Sequence, residues 1–147
     1  MIAIACDHAA VGLKEEIKTH LAARGISFKD FGADGKTSVD YPDYAYSAAR
    51  AVAAGECEKG ILICGTGIGM SIVANKVKGI RCALCSDTFS ARATREHNDA
   101  NMLALGARVL GAGLALDIVD IFLDTPFSGE ERHMRRISKI SHIENEE

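Results

Sequence analysis

The chain has 147 residues, 48% of them hydrophobic and 25% charged, with a net charge of −3. That length and composition suit one globular domain, residues 1–147, around a single core. The acidic balance excludes the basic field that grips a nucleic-acid backbone, but not a small phosphorylated ligand held by a few local cations.

Residues 2–6, Ile-Ala-Ile-Ala-Cys, read as a buried first strand. The stretch is too short to span a bilayer, has no basic start and runs into Asp7-His8, so it does not read as a signal peptide. Leu13, Ile17 and Leu21 recur every fourth residue and mark one face of a helix that Arg24-Gly25 ends. Residues 27–31 form a second strand, 32–38 a polar loop, and 44–54 an alanine-rich helix stopped by Gly55. Residues 61–64, Ile-Leu-Ile-Cys, lack alternation and predict a strand covered on both faces. A glycine-rich turn and a helix to about residue 76 follow. Then come a strand at 81–85, a helix at 88–96, a strand at 102–105 and a helix at 112–123 that Thr125-Pro126 breaks. A last helix is expected over about 129–143, with an acidic tail at 144–147.

This strand–helix alternation predicts a five-stranded parallel sheet in a three-layer α/β/α, Rossmann-like fold. Ligands in such sheets bind beyond the carboxyl ends of the strands. Two loops at such ends carry unusual chemistry: Asp7-His8 after the first strand, and Cys64-Gly65-Thr66-Gly67-Ile68-Gly69 after the third. They share one crevice if these strands are neighbours.

The alternating glycines permit close backbone approach, and a helix starting there turns free N–H groups outward, a place for a negative charge. The loop matches neither common nucleotide motif: Met70 stands where a dinucleotide fingerprint needs glycine, and no Gly-Lys-Ser/Thr is present. What is left is an anion hole with the Cys64 thiol at its mouth. A thiol so placed can serve as nucleophile, base or redox group. A plain buried cysteine is the alternative.

There are five cysteines, an odd number for pairing within one chain, and they read as reduced thiols of a cytoplasmic protein. Cys82 and Cys85 have CxxC spacing but sit in a predicted strand without a second such pair, so they are expected to be structural.

Cys64–Gly69 with Ala74-Asn75-Lys76 closely resembles the type B ribose-5-phosphate isomerases. So do Cys6-Asp7-His8, Asp40-Tyr41-Pro42, Arg95-Glu96-His97-Asn98-Asp99-Ala100-Asn101, and Arg132-His133 with Arg136. The resemblance covers nearly the whole chain in order. That family also includes enzymes for allose 6-phosphate and galactose 6-phosphate.

The resemblance implies interconversion of ribose 5-phosphate and ribulose 5-phosphate through a cis-enediolate, a step of the pentose phosphate pathway and carbohydrate metabolism. It implies a homodimer or homotetramer with active sites between subunits, and no metal or organic cofactor. No nucleic-acid or membrane partner is expected. Matched residue by residue, Cys64 is the base and His97 opens the sugar ring. Thr66 assists ring opening or orients the sugar, and Asn98 binds a reacting hydroxyl. The amides of Gly65, Gly67, Ile68 and Gly69 face the enediolate oxygen. Asp7, His8 and Tyr41 hold the sugar, with His8 near the phosphate. Arg132 and Arg136, four apart on one helix face, grip the phosphate, and Arg108 joins them from the other subunit. Met134, Ile137 and Ile140 on the last helix suit docking on a second subunit.

Three readings compete, of which the first keeps the chemistry and changes only the sugar. A hexose 6-phosphate isomerase would keep the same catalytic set, and Ala9-Ala10 departs from the glycine-containing stretch expected after Asp-His. A non-catalytic phosphosugar-binding module would not need Cys64. A thiol redox protein would need a resolving cysteine, and Cys57 lies before the strand.

Overall fold

The computed structural model describes residues 1–146. Five strands, β1 (Ile2–Cys6), β2 (Phe28–Asp30), β3 (Lys59–Cys64), β4 (Cys82–Leu84) and β5 (Met102–Gly106), form one sheet in the order β2-β1-β3-β5-β4. Every pairing is parallel. Six helices connect or follow them: α1 (Val11–Ala23), α2 (Tyr41–Ala53), α3 (Ile68–Ala74), α4 (Thr88–Asn98), α5 (Ala112–Asp124) and α6 (Glu131–Glu146).

Side chains alternate across the strands, so each face of the sheet has its own core. Ile2, Ile4, Ile61, Ile63, Leu103 and Leu105 meet apolar residues of α1, α4 and α5, among them Ile17, Ala91 and Phe122. Ala3, Ala5, Leu62, Cys64 and Ala104 face α2 and α3 on the other side. That second core is rich in alanine, including Ala45, Ala48 and Ala49 of α2, so α2 can lie close to β1. The three-layer parallel architecture expected from the sequence is the one observed.

Several boundaries differ from expectation. Asp40-Tyr41-Pro42 is the start of α2: Asp40 is the N-cap and proline sits in the first turn, where its missing N–H costs nothing. The following helix, α3, ends at Ala74. Asn75 leaves it to accept the Cys82 N–H at 2.8 Å and to donate to the Cys82 carbonyl at 3.0 Å, which draws the chain toward β4. On the far side, α4 runs on to Asn98 because Asp99 adopts the left-handed conformation (φ 45°) and its carboxylate accepts from the Arg95 guanidinium at 2.8 Å. The acidic tail is not a tail through Glu146. It continues α6, pinned where the Gly79 N–H donates to Glu144 at 2.9 Å. Glu147 lies outside the described residues.

One buried cation organises the β1–β2 edge. Lys14, 2% exposed, donates to Asp30 at 2.9 Å and to the Ala33 carbonyl at 2.6 Å. Burial works to raise the Asp30 carboxyl. The Gly32 N–H and the ammonium groups of Lys14 and Lys18 outweigh it and hold the carboxyl below its ordinary value.

Candidate active site

Register decides which loops meet. Cys6 of β1 pairs with Ile63 of β3, and Cys64 pairs with Gly106 of β5. The chain therefore leaves β1, β3 and β5 at one end of the sheet, and Asp7-His8, Gly65–Gly69 and Arg108 gather there. Strands β1 and β3 are neighbours, which the shared crevice required.

Cys64 ends β3 on the α2/α3 face, 6% exposed. The Gly67 N–H donates to its sulfur at 3.1 Å. Gly67 is the N-cap of α3 with φ 79°, and a side chain there would meet the Leu105 backbone at 2.9 Å. Glycine is thus required for the amide to turn onto the thiol. Thr66 is exposed and is not the N-cap. Its hydroxyl oxygen accepts the Ile68 N–H at 3.2 Å. Two amides of the expected anion hole, those of Gly67 and Ile68, are therefore engaged within the loop itself.

Tyr41 reaches this loop from α2. A Cβ on Gly69 would stand 2.6 Å from the Tyr41 ring and 2.9 Å from its hydroxyl, so Gly69 makes room for the phenol. Arg108 extends along Gly65, its Nε 3.7 Å from where a Cβ would be. The turn is closed by the Arg108 N–H donating to the Gly65 carbonyl at 3.0 Å. Arg108 therefore stands on the Cys64 loop of its own chain, while Arg132 and Arg136 lie on α6. Asp7 accepts the Ala9 N–H at 3.0 Å, and His8 Nδ1 accepts the Val39 N–H at 3.0 Å.

The other expected residues lie elsewhere. His97 and Asn98 are exposed at the last turn of α4, which returns the chain to the start of β5. Since β5 rises from Met102 to Gly106, about 13 Å of strand separates that end of the sheet from Cys64. One chain alone does not bring His97 and Cys64 together.

A second cluster surrounds His97. Ser128 donates from N–H (3.3 Å) and hydroxyl (2.8 Å) to the Glu96 carbonyl and so seats the start of α6 on α4. His133 of α6 is then buried, 5% exposed, with its ring stacked on His97 at 4.4 Å. Burial first, then the charges of His97, Arg132 and Arg136, hold His133 below the ordinary imidazole range, against the pull of Glu130. Glu130 Oε2 lies 3.1 Å from His133 Nε2 but out of line for a hydrogen bond, and that nitrogen has no hydrogen-bond partner. Arg132 and Arg136 stand exposed on α6, one turn apart, with Arg132 3.3 Å from Glu130.

Sequence reasoning passed over the residues that hold this cluster. Arg95, 6% exposed, donates to Asp99, to the Ala100 carbonyl at 2.7 Å and to the Thr125 carbonyl at 3.0 Å. Arg81 donates to the carbonyls of Asn98 at 2.8 Å and Asp99 at 3.0 Å. The Arg95–Asp99 spacing of four was a readable signal. For Arg81 there was none, since its partners are backbone atoms distant in sequence.

Cys82 and Cys85 are free thiols pushed up by burial to about 12 and about 11, Cys85 also by Asp87. Such thiols are poor nucleophiles and poor ligands. Among the described residues no group of three or more His, Cys, Asp or Glu side chains is placed to hold a metal ion, and no helix is long and apolar enough to cross a membrane.

A parallel sheet with a thiol and a glycine loop at its carboxyl edge defines a small-molecule enzyme of the α/β class. The match is closer than that. The family model described as Ribose/Galactose Isomerase fits residues 2–140. The chain is 50% identical to ribose-5-phosphate isomerase B of Escherichia coli (strain K12), over 97% of this chain and 95% of that protein. It is 46% identical to D-erythrulose-4-phosphate isomerase of Pectobacterium atrosepticum, over 99% and 96%. Its structure superposes on that of Clostridium thermocellum ribose-5-phosphate isomerase B with a TM-score of 0.96 at 54% identity, covering 99% and 97% of the two chains. The chain belongs to the ribose/galactose isomerase family, that of the type B ribose-5-phosphate isomerases. It is a sugar-phosphate isomerase of the aldose–ketose kind.

Proposed function

We propose that the protein interconverts ribose 5-phosphate and ribulose 5-phosphate, with Cys64 as the base. The single observation that carries this is the Gly67 N–H on the Cys64 sulfur at 3.1 Å, at the tip of β3 where Tyr41 and Arg108 converge. That amide is a hydrogen-bond donor placed on the sulfur that would take and return the proton.

In the forward direction the Cys64 thiolate takes the proton from C2 of the open aldose. The C2–H electrons form the C1–C2 double bond, and the carbonyl electrons move onto O1, giving the cis-enediolate. The O2 hydroxyl proton then passes to O1, the O2 electrons form the C2 carbonyl, and the C1–C2 double-bond pair takes the proton back from the Cys64 thiol at C1, which leaves the ketose and the thiolate. Amides of Gly65–Gly69 not engaged within the loop stabilise the developing negative oxygen. Asp7, His8 and Tyr41 hold the sugar, and Thr66 orients it.

The remaining roles call for a second copy of the chain. His97 for ring opening, Asn98 for a hydroxyl, and Arg132 with Arg136 for the phosphate stand at the other end of the sheet. A homodimer that sets the α4–α6 cluster of one protomer over the Cys64 loop of its partner completes the site. Exposed Met134 (55%), Ile140 (48%) and Ile143 (61%) on α6 suit such a contact. Ile137 is half-buried. A tetramer would pair two such dimers. Five free thiols suit a reducing, cytoplasmic setting.

Tetrose and hexose phosphates are the second reading, the first favoured by the 46% identity to an erythrulose 4-phosphate enzyme and the second by a 39% identity to a galactose-6-phosphate isomerase subunit. The experiment is to supply ribose 5-phosphate, erythrulose 4-phosphate and hexose 6-phosphates in turn to the purified protein and follow isomer formation. Ribose 5-phosphate is expected to give the highest kcat/KM, and preference for another sugar overturns the substrate assignment. Cys64→Ala is expected to lower kcat by about 10²–10⁴-fold or more. Full turnover in that variant rejects the base.

A further inference from the structure

We infer that His8 keeps Nδ1 as the acceptor of the Val39 N–H and carries its ring proton on Nε2, and that the same ring ties the 34–40 loop, and through it Tyr41, to the β1 end of the site. The ligand role of His8 rests on the sugar-phosphate reading above. The tautomer and the tie do not.

A ring nitrogen that accepts a hydrogen bond carries no proton. Val39 N–H donates to His8 Nδ1 at 3.0 Å, so the proton of the neutral ring is on Nε2. His8 is exposed at the carboxyl end of β1, and its Nε2–H is on the ring edge opposite Val39. It therefore offers the crevice one donor and no acceptor. Such a group recognises an acceptor oxygen, of a phosphate or of a sugar hydroxyl, beside the Arg108 side chain on the neighbouring loop.

The loop this ring holds is otherwise secured at its near end. Ala33 N–H donates to the Cys6 carbonyl at 2.7 Å, and Lys14 holds the Ala33 carbonyl. Asp34 is turned inward on the Lys36 N–H at 3.0 Å. At the far end Val39 precedes Asp40, the N-cap of α2, and Tyr41 begins the helix with its ring on Gly69. His8 thus sits between two catalytic loops: it anchors on one side the segment that delivers Tyr41 to the other. A fully protonated or Nδ1-H ring would set two donors face to face and release Val39.

The side-chain geometry of two substitutions separates the two functions. Asparagine places an amide oxygen near the position of Nδ1 and nothing at Nε2. Glutamine reaches Nε2 with an N–H and leaves Nδ1 empty. The first measurement uses the wild-type protein labelled with 15N-histidine, at a pH where the ring is neutral. Long-range proton–nitrogen correlation is expected to show His8 with a bare Nδ1 and a protonated Nε2. The opposite tautomer overturns the inference. In His8→Asn, amide hydrogen exchange at Val39 is expected to stay within about twofold of wild type, while KM for the sugar phosphate rises about tenfold, as for loss of one hydrogen bond to a charged group. In His8→Gln, Val39 exchange is expected to speed up about tenfold or more, with kcat falling more than KM rises, because Tyr41 is loosened. Val39 exchange unchanged in His8→Gln rejects the tie, and an unchanged KM in His8→Asn rejects the donor role. A protein that turns over no sugar phosphate yet shows the expected tautomer and exchange would remove the isomerase reading and leave the tautomer and the tie supported.

Discussion

The imidazole of His133 lies flat on that of His97, with centroids 4.4 Å apart and planes 18° from parallel. Burial, then the charges of His97, Arg132 and Arg136, lower the His133 pKa, which disfavours a charged ring in this stack. His133 therefore gives His97 a flat ring surface that fixes its ring plane. His133→Phe keeps that surface and is expected to retain kcat within about threefold, whereas His133→Ala is expected to lose about tenfold or more, measured as turnover with the sugar phosphate. Equal loss in both variants would show that the ring's nitrogens, and not its flatness, matter.

The same burial makes stability depend on pH. With the folded-state pKa of His133 below its unfolded value, the unfolded chain binds more protons between the two. The fold is then unburdened above about pH 6.5 and loses stability as pH falls from there through the lowered folded value. Denaturant unfolding from pH 8 to pH 5 is expected to show that fall, and to show less of it in His133→Phe.

Mixing two inactive proteins tests the shared site. If each site takes Cys64 from one protomer and His97 from its partner, Cys64→Ala and His97→Ala subunits refolded together form mixed dimers with one intact site of two. Random pairing then restores about a quarter of wild-type activity. Absence of recovery, with mixed dimers shown to be present, would place both residues in a site of some other construction.

Gly67→Ala is expected to destabilise the fold by about 2–4 kcal/mol, because the left-handed conformation and a backbone neighbour that cannot yield act together. The Cβ would lie 2.9 Å from the Leu105 carbonyl carbon and 3.0 Å from its oxygen. The measurements are the denaturation midpoint and the thiol's reactivity, since the amide that faces the Cys64 sulfur must move.

Lys14→Met removes the ammonium that Asp30 and the Ala33 carbonyl share and is expected to cost about 2–4 kcal/mol. The Asp30 carboxyl should return toward the ordinary carboxylate range or above it, read by carboxyl NMR titration, as burial is then opposed only by the Gly32 N–H and Lys18. A variant as stable as wild type would mean that the buried cation is dispensable to this edge of the sheet.

Much of this was readable in one dimension. Apolar runs of five or six residues with helices between them determine a parallel sheet, because the backbone of each strand must find partners and each helix must bury one face. Cys64 followed by alternating glycines is a local statement, made by residues adjacent in the chain, and it announces a thiol beside backbone amides, two of which the fold then engages within the loop. The arginine pair at 132 and 136 is equally local, set by the turn of one helix. Tertiary structure alone decided which of these meet. Register across β1, β3 and β5 put Asp7, His8 and Arg108 at the Cys64 end of the sheet, the packing of α2 brought Tyr41 onto Gly69, and the length of β5 kept His97 at the other end. The stack of His133 on His97, the Val39 tie to His8 and the Lys14 anchor join residues far apart in sequence through single contacts. Composition and periodicity carry no trace of such contacts, because their energies depend on where two separate backbones are placed and not on what either segment prefers by itself.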